Sequence, residues 1–234
     1  TASFCGEPPI NGVGGLPASG AVTVYYPKTS GLWPVTAMGD TTSRRYDTWD
    51  DTLPLRDVLL VLDCSGSMSG SRMSGLKTAV NTFVERTGGR LTNTRLGVVS
   101  FTDSAMTRLR FTSDTVQAEE IVSALPATGG TRYTQALTAA GTLLDDSTAD
   151  IKSVIFFSDG EPNDGTGDIY TAAAGLRGKG YFLYTVGLCT AGSNAEQILI
   201  NVAGSRSNYF LASDIDSLTN LFLQLNDNIG KKNG

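Results

Sequence analysis

The chain has 234 residues, 40% hydrophobic and 18% charged, enough to bury the core of one large domain with an appendage. It contains no histidine, which excludes Ser-His-Asp and Cys-His catalysis, histidine-ligated zinc and imidazole proton transfer. With 18 basic against 23 acidic residues the net charge is -5, so nucleic acid and anionic membrane surfaces are not expected partners.

Residues 1–52 gather Pro8, Pro9, Pro17, Pro27 and Pro34, a glycine cluster at 12–15, and both tryptophans, Trp33 and Trp49, without a helical period. They read as an irregular extension of one or two strands that packs on the domain or links it to a larger assembly, with a strand-like run at 21–26 (AVTVYY), and at least one tryptophan is expected to pack on the main body. Residues 53–234 alternate short apolar strands with amphipathic helices, the pattern of parallel strands covered on both faces. The first strand is 57–62 (DVLLVL). A helix follows with Met73, Leu76, Val80 and Phe83 on one stripe, and Gly88 and Gly89 are expected to stop it. Next come a strand at 96–101, a short edge strand near 107–111 and helices near 115–125 and 134–144. The remainder reads as a strand at 154–157, a helix near 169–176, a strand at 181–186, a helix near 195–202, a strand at 208–211 and a closing helix over 214–229. The predicted fold is α/β: a three-layer αβα, doubly wound, mostly parallel six-stranded sheet with one short antiparallel edge strand. No apolar run nears the roughly 18 to 20 residues of a membrane span, so no membrane insertion of this chain is expected.

Cys5, Cys64 and Cys189 admit three pairings, each leaving one thiol free. Reduced cysteines, with Cys64 as a small core residue, and a Cys5–Cys189 bridge pinning the extension in an oxidising compartment both stand open.

In open parallel sheets, ligands sit beyond the carboxyl ends of the strands. Three loops there carry the same chemistry. After the first strand, Asp63, Ser65 and Ser67 occupy alternate positions of DCSGS and project to one side of an extended segment. After the strand at 154–157 comes Asp159, and the TGGT turn at 128–131 supplies Thr131 just before a helix. Two carboxylates and three hydroxyls form a hard-oxygen set suited to Mg2+ or Mn2+, with Ca2+ also accommodated, and poor for zinc or copper. Two aspartates at most neutralise such an ion, which stays electrophilic and open to an anionic oxygen from outside. Glu161, Asn163 and Asp164 form an acidic loop beside Asp159, read as a rim that meets the ligand. With no imidazole in the set, metal affinity is expected to hold across neutral pH and to fall only where the aspartates protonate.

The runs LLVLDCSGSM (59–68), GGT (129–131) and FFSDGEPND (156–164), in this order on an alternating background, resemble a von Willebrand factor type A domain over about 54–230. That family's metal ion-dependent adhesion site is written D-x-S-x-S, then Thr, then Asp; Asp63, Ser65 and Ser67 match the first part, Thr131 the second and Asp159 the third. Thr128 and Thr134 lie close enough to compete for the Thr131 role. The resemblance implies a non-enzymatic module that binds a protein or extracellular-matrix ligand, an acidic residue of the ligand completing the coordination. It also implies a closing helix that shifts between affinity states in some members. An extracellular or bacterial cell-surface setting fits this reading, and the run 24–28 (VYYPK) is similar to the lysine-bearing motif of sortase-assembled pilins. A proline-ended strand explains that run equally well. Two other readings stand beside it: an intracellular scaffold or accessory subunit of the same fold, and a magnesium-dependent phosphoesterase, for which both aspartates are already spent as ligands. Lys77 follows Gly75 one residue too late for a phosphate-binding P-loop. The LPATG run at 125–129 is read as the turn that places Thr131.

Overall fold

A computed structural model describes the strands at 2–3, 21–28 and 31–38, and residues 54–90, 93–212, 214, 217–218 and 220–221. The chain divides into residues 1–46 and 47–234. In the first unit β1 (Ala2–Ser3) pairs in parallel with β2 (Ala21–Lys28), and β2 pairs antiparallel with β3 (Gly31–Met38) from Ala21 opposite Met38 to Lys28 opposite Gly31. β2 contains the predicted run and extends it by two residues. β3 is an addition that the sequence hides, because Gly31 and Pro34 interrupt its alternation. Pro34 has no N–H to give to a ladder, and β3 lies at an edge of this three-stranded sheet. The environments of Trp33, Trp49 and Cys5 lie outside the described residues.

In the second unit six strands form one sheet in the order β6-β5-β4-β7-β8-β9. They are β4 (Arg56–Asp63), β5 (Thr94–Phe101), β6 (Ala105–Thr112), β7 (Ile151–Ser158), β8 (Phe182–Gly187) and β9 (Tyr209–Leu211). All neighbours are parallel except β5 and β6, which pair antiparallel with register shifts around Val98. The edge strand β6 is eight residues, as long as β4, β5 and β7, rather than short.

β4 is buried from Asp57 to Asp63, and its side chains divide between two cores. Val58, Leu60 and Leu62 pack with α1 (Ser71–Arg90) and α2 (Thr115–Ser123), while Leu59 and Val61 pack with α3 (Tyr133–Asp145), α4 (Thr166–Gly178) and α5 (Asn194–Ala203). That is the αβα layering, set by the period-two alternation of a strand covered on both faces. Because the connection through α1 leads to β5 and the one through α3 leads to β7, the winding reverses at the carboxyl end of β4, the place where such sheets form a crevice. α1 runs through Gly88 and Gly89 to Arg90. Glycine weakens a helix by about 1 kcal/mol against alanine but imposes no stop, and no proline follows within the helix. Of the closing helix, residues 217–218 and 220–221 are helical, with Leu218 buried against the α1–α2 core; the rest of the predicted helix lies outside the described residues.

The far end of β4 is pinned by charge. Asp57 is fully buried and accepts two hydrogen bonds from Arg95, Nε to Oδ1 at 2.8 Å and Nη2 to Oδ2 at 2.8 Å, and one from Ser147 Oγ at 2.5 Å. This fork joins β4, β5 and the turn after α3 at the amino edge of the sheet. Removing one partner of such a pair costs about 3–5 kcal/mol when both are buried. Arg95 keeps 25% of its side chain exposed, so Asp57→Ala should cost about 3 kcal/mol in chemical denaturation. A loss below about 0.5 kcal/mol would show that the pair contributes no more than a surface ion pair does.

Candidate functional site

At the opposite, carboxyl edge, β4 ends on Asp63 and β7 ends on Ser158, with Asp159 next in the chain. The DCSGS segment leaves the sheet in extended form, Ser65 having φ -65° and ψ 167° before a 3-10 turn at Gly66–Met68. Its polar groups close into a ring. The Ser65 amide donates to Asp63 Oδ1 at 2.8 Å, Ser65 Oγ and Ser67 Oγ lie 3.0 Å apart, and Ser67 Oγ donates to Asp159 Oδ1 at 2.8 Å. Ser158 Oγ completes the circuit by donating to Asp63 Oδ2 at 2.5 Å. Asp63, Ser65, Ser158 and Asp159 are buried, whereas Ser67 is exposed, so the ring has a floor and a mouth.

The Thr131 loop is attached to both carboxylate loops. The Thr128 amide donates to the Cys64 carbonyl at 2.8 Å and the Gly66 amide to the Gly129 carbonyl at 2.9 Å, joining it to the β4 end. On the other side Thr131 and Asn163 exchange bonds: the Thr131 amide donates to Asn163 Oδ1 and the Asn163 amide to the Thr131 carbonyl, both at 2.7 Å. Of the three competing threonines, Thr131 is buried and Thr128 exposed, while Thr134 lies within α3 with its Oγ1 buried and unpaired. Gly130 sits where the loops converge: a Cβ there would lie 2.5 Å from Asp103 Oδ1 and 2.8 Å from Asn163 Oδ1, and its amide donates to Asp103 Oδ2 at 3.0 Å. A side chain at 130 would displace the Asp103 carboxylate and the Asn163 carboxamide that holds Thr131.

Two of the expected rim residues work inward. Asn163 holds Thr131, and Asp164 caps α3 from a distant loop, accepting from the Tyr133 amide at 3.1 Å and the Thr134 amide at 2.7 Å. The helix needs it, because its own N-cap residue, Arg132, provides no side-chain acceptor. Glu161 alone of the three reaches across the rim, accepting from Asn194 Nδ2 at 2.8 Å. A cleft of ≈ 760 Å³ adjoins Asp159, lined among others by Arg72, Glu161, Leu188, Cys189 and Leu211.

Electrostatically the two aspartates differ. Asp159 Oδ2 is ion-paired with Arg72 Nη1 at 2.6 Å. Asp63 is held by an amide and a hydroxyl, with no cationic partner among the described residues. Burial pushes its carboxyl up from 3.8 to about 6; the hydrogen bonds from Ser158 and Ser65 offset part of this, and the Asp159 charge adds to it. A buried carboxylate with hydroxyls at its side and no counter-charge is a donor set that a hard divalent cation satisfies. The described residues hold no group of three or more acids or thiols gathered for a metal. Cys64 is buried beside it with its thiol pushed up to about 12, by burial first and the Asp63 charge second, so it packs as a hydrophobe and is inert as a nucleophile. Cys189 is a free thiol, its Sγ 3.6 Å from the Tyr209 hydroxyl; Cys5, its partner in the bridge that the sequence leaves open, lies outside the described residues. Lys77 donates to the Ser123 carbonyl at 2.9 Å, away from any phosphate loop.

The structure thus brings Asp63, Ser65, Ser67 and Asp159 into one ring and seats Thr131 on the loop bonded to both of its sides. Sequence reasoning missed Ser158, Arg72, Asp103 and Tyr133. Tyr133 is buried in an aromatic trio with Phe101 and Phe156, its ring centroid 4.8 Å from that of Phe156, and its hydroxyl donates to the Gly160 carbonyl at 2.7 Å, propping the Asp159 loop from below. The available signals were adjacency: Ser158 precedes Asp159, and Tyr133 lies two residues after the GGT turn.

Residues 57–224 match the von Willebrand factor type A domain, and the chain belongs to that family. No curated protein matches it significantly in sequence. Among solved structures similar to it is the von Willebrand factor domain of the type V pili tip protein Mfa5 from Porphyromonas gingivalis, at 18% identity and TM-score 0.65 over 77% of this chain and 98% of that one. The pilus adhesin SpaC from Lactobacillus rhamnosus GG, in its open conformation, is similar at 16% identity and TM-score 0.68, over 77% of this chain and 30% of that one. Proximal thread matrix protein 1 from the mussel byssus is similar at 21% identity and TM-score 0.61, over 74% of this chain and 45% of that one. At these identities the likeness is one of fold.

Two outcomes are expected. In ion-free protein the folded Asp63 carboxyl keeps its proton to about pH 6 while the unfolded one releases it near 3.8, so the stability from the neutral form is full below the lower value and is lost as pH rises through the upper. Thermal melts in EDTA should show the native chain losing Tm relative to Asp63→Asn between about pH 4 and about pH 7, and parallel curves would contradict the burial argument. Asp164→Ala should cost about 1–2 kcal/mol and speed amide exchange at Tyr133 and Thr134 before the rest of α3.

Proposed function

We propose that this chain is a metal-dependent binding module, an adhesion-type domain that recognises a carboxylate-bearing protein or matrix ligand through a divalent cation. The observation that carries the reading is the closed ring Asp63–Ser65–Ser67–Asp159–Ser158: two buried carboxylates on neighbouring strand ends, joined by hydroxyls and open to solvent at Ser67. Asp63, Ser65, Ser67, Thr131 and Asp159 would hold Mg2+ or Mn2+, and Ca2+ less selectively, directly or through water. Bound there, the ion supplies an electrophilic centre that two aspartates do not over-neutralise, which is what a ligand carboxylate requires.

The chain's own residues do the rest. Ser158 orients Asp63, and the Thr131–Asn163 exchange holds the third loop at a constant separation from the Asp159 loop. Tyr133 supports Gly160 from the core, so the donors are in place before any ligand arrives. Leu188 and Leu211 give the adjoining cleft apolar wall beside Asp159, surface on which residues flanking a ligand's acidic side chain can rest. Binding rather than catalysis is the activity proposed, Cys64 being inert and both aspartates committed to the cation. A bacterial surface or extracellular setting, within a larger surface or pilus protein, is supported by the names of the similar structures, two of which are pilus proteins and one a thread matrix protein. Residues 1–52 would then pack on or link this domain.

Calorimetric titration of Mg2+ and Mn2+ into chelated protein should show one binding site, abolished in Asp63→Ala. Ser158→Ala should weaken it by about 10–100-fold, since it frees a ligating carboxylate from its orienting partner. Affinity should fall on acidification below about pH 6, where Asp63 protonates. Capture of proteins from a matrix panel should be lost in EDTA. Absence of binding by either ion overturns the metal site, and capture that survives EDTA overturns the mechanism.

A further inference from the structure

Arg72 is the second residue of α1 (Ser71–Arg90), in a first turn that contains no acidic side chain. A cation is disfavoured at a helix amino terminus, where the backbone dipole is positive. A residue that breaks a local preference without an evident local reason points to a role elsewhere in the fold. Here that role is visible: Arg72 Nη1 reaches Asp159 Oδ2 at 2.6 Å and the Ser67 carbonyl at 3.5 Å, across the mouth of the ring. Asp159 has its other oxygen on Ser67 Oγ, so both of its oxygens are engaged within the protein. The Asp159 side chain is wholly buried while Arg72 keeps 48% of its side chain exposed. The carboxylate has nowhere to go; the guanidinium can swing into water or into the adjoining cleft, which it lines.

We infer that Arg72 is a built-in competitor for the cation site, holding Asp159 in the ion-free protein and leaving it when a divalent ion is bound. The inference rests on the metal-binding reading above. A guanidinium against one of only two carboxylates supplies part of the positive charge that the ion would bring, and both cannot be accommodated against the same oxygen without repulsion in a partly buried site. Only the population with Arg72 displaced is competent, and the apparent dissociation constant is the intrinsic one divided by that fraction. The pairing therefore protects the empty site from the cost of a second unpaired buried carboxylate and sets a threshold of ion concentration for activation. Asp63, with no such partner, is the half of the site that stays available.

The test is Arg72→Met, which keeps the apolar stem and removes the charge, followed by Mg2+ and Mn2+ calorimetry and by thermal melts with and without ion. If Arg72 occupies Asp159 nine-tenths of the time, affinity should tighten about tenfold, while the ion-free Tm falls and the ion-induced rise in Tm grows. Should Arg72→Met fail to fold, Arg72→Lys, which keeps charge but gives up the planar fork, should show a smaller gain of the same sign. Binding in the variant but not in the native chain supports the inference equally. Native binding with unchanged or weaker affinity in the variants overturns the competition and leaves the metal site standing. Binding by neither the native chain nor the variants overturns the metal site and the competition with it.

Discussion

A carboxylate buried at the end of the central strand is the condition on which the site architecture depends. Asp63 is fully enclosed and, among the described residues, faces hydrogen-bond donors but no positive side chain, so its environment is supplied by the Ser65 amide of its own loop and the Ser158 hydroxyl at the end of β7. β4 makes this feasible because it pairs in parallel on both sides. β5 brings the Phe101 carbonyl to the Cys64 amide, β7 brings Ser158 to the second oxygen, and the chain that follows β7 brings Asp159. Shift the register of β7 by one residue and Ser158 would point to the opposite face, leaving Asp63 with one donor.

The same strand end is where the winding reverses. α1 departs to one face and α3 covers the other, so the DCSGS and TGGT loops approach each other over the top of the sheet from opposite layers. Their two backbone bonds, Gly66 to Gly129 and Thr128 to Cys64, join the layers at the rim in the way that Asp57 and Arg95 join strands at the base. The interior between these two ties is largely apolar and closely packed, with Ser153 and Thr185 among the few polar side chains buried in it, and it holds the rim donors at fixed separations.

The parts legible in the sequence were those with short-range signatures. Continuous apolar runs marked β4, β5, β7 and β8, three- and four-residue spacing marked α1, and the alternate placement of Asp63, Ser65 and Ser67 marked a converging set. What escaped was long-range or contrary to local preference. β3 carries Gly31 and Pro34 yet pairs over its whole length, because an edge strand tolerates them. α1 passes through Gly88 and Gly89 because the apolar stripe before them outweighs their propensity. Ser158, Arg72 and Tyr133 have no spacing rule linking them to the ring; their partners are 27 to 95 residues away. Asn163 and Asp164 belonged by proximity to an acidic rim, but a carboxylate or carboxamide beside uncapped amides turns toward them, and neighbouring backbone decided their orientation.

That capping has a kinetic consequence. The amides that open α3 find their acceptor 30 and 31 residues downstream, beyond the whole of β7. The first turn of α3 is consequently unfinished until β7 has joined β4, however well the rest of the helix has formed on its own. Since Thr131 stands immediately before that turn, the third loop acquires its final geometry in the same event that completes the centre of the sheet. Loop closure over this separation is slow compared with helix growth. Substitutions at the rim should therefore act mainly on the unfolding limb of the kinetics, as contacts that form late do.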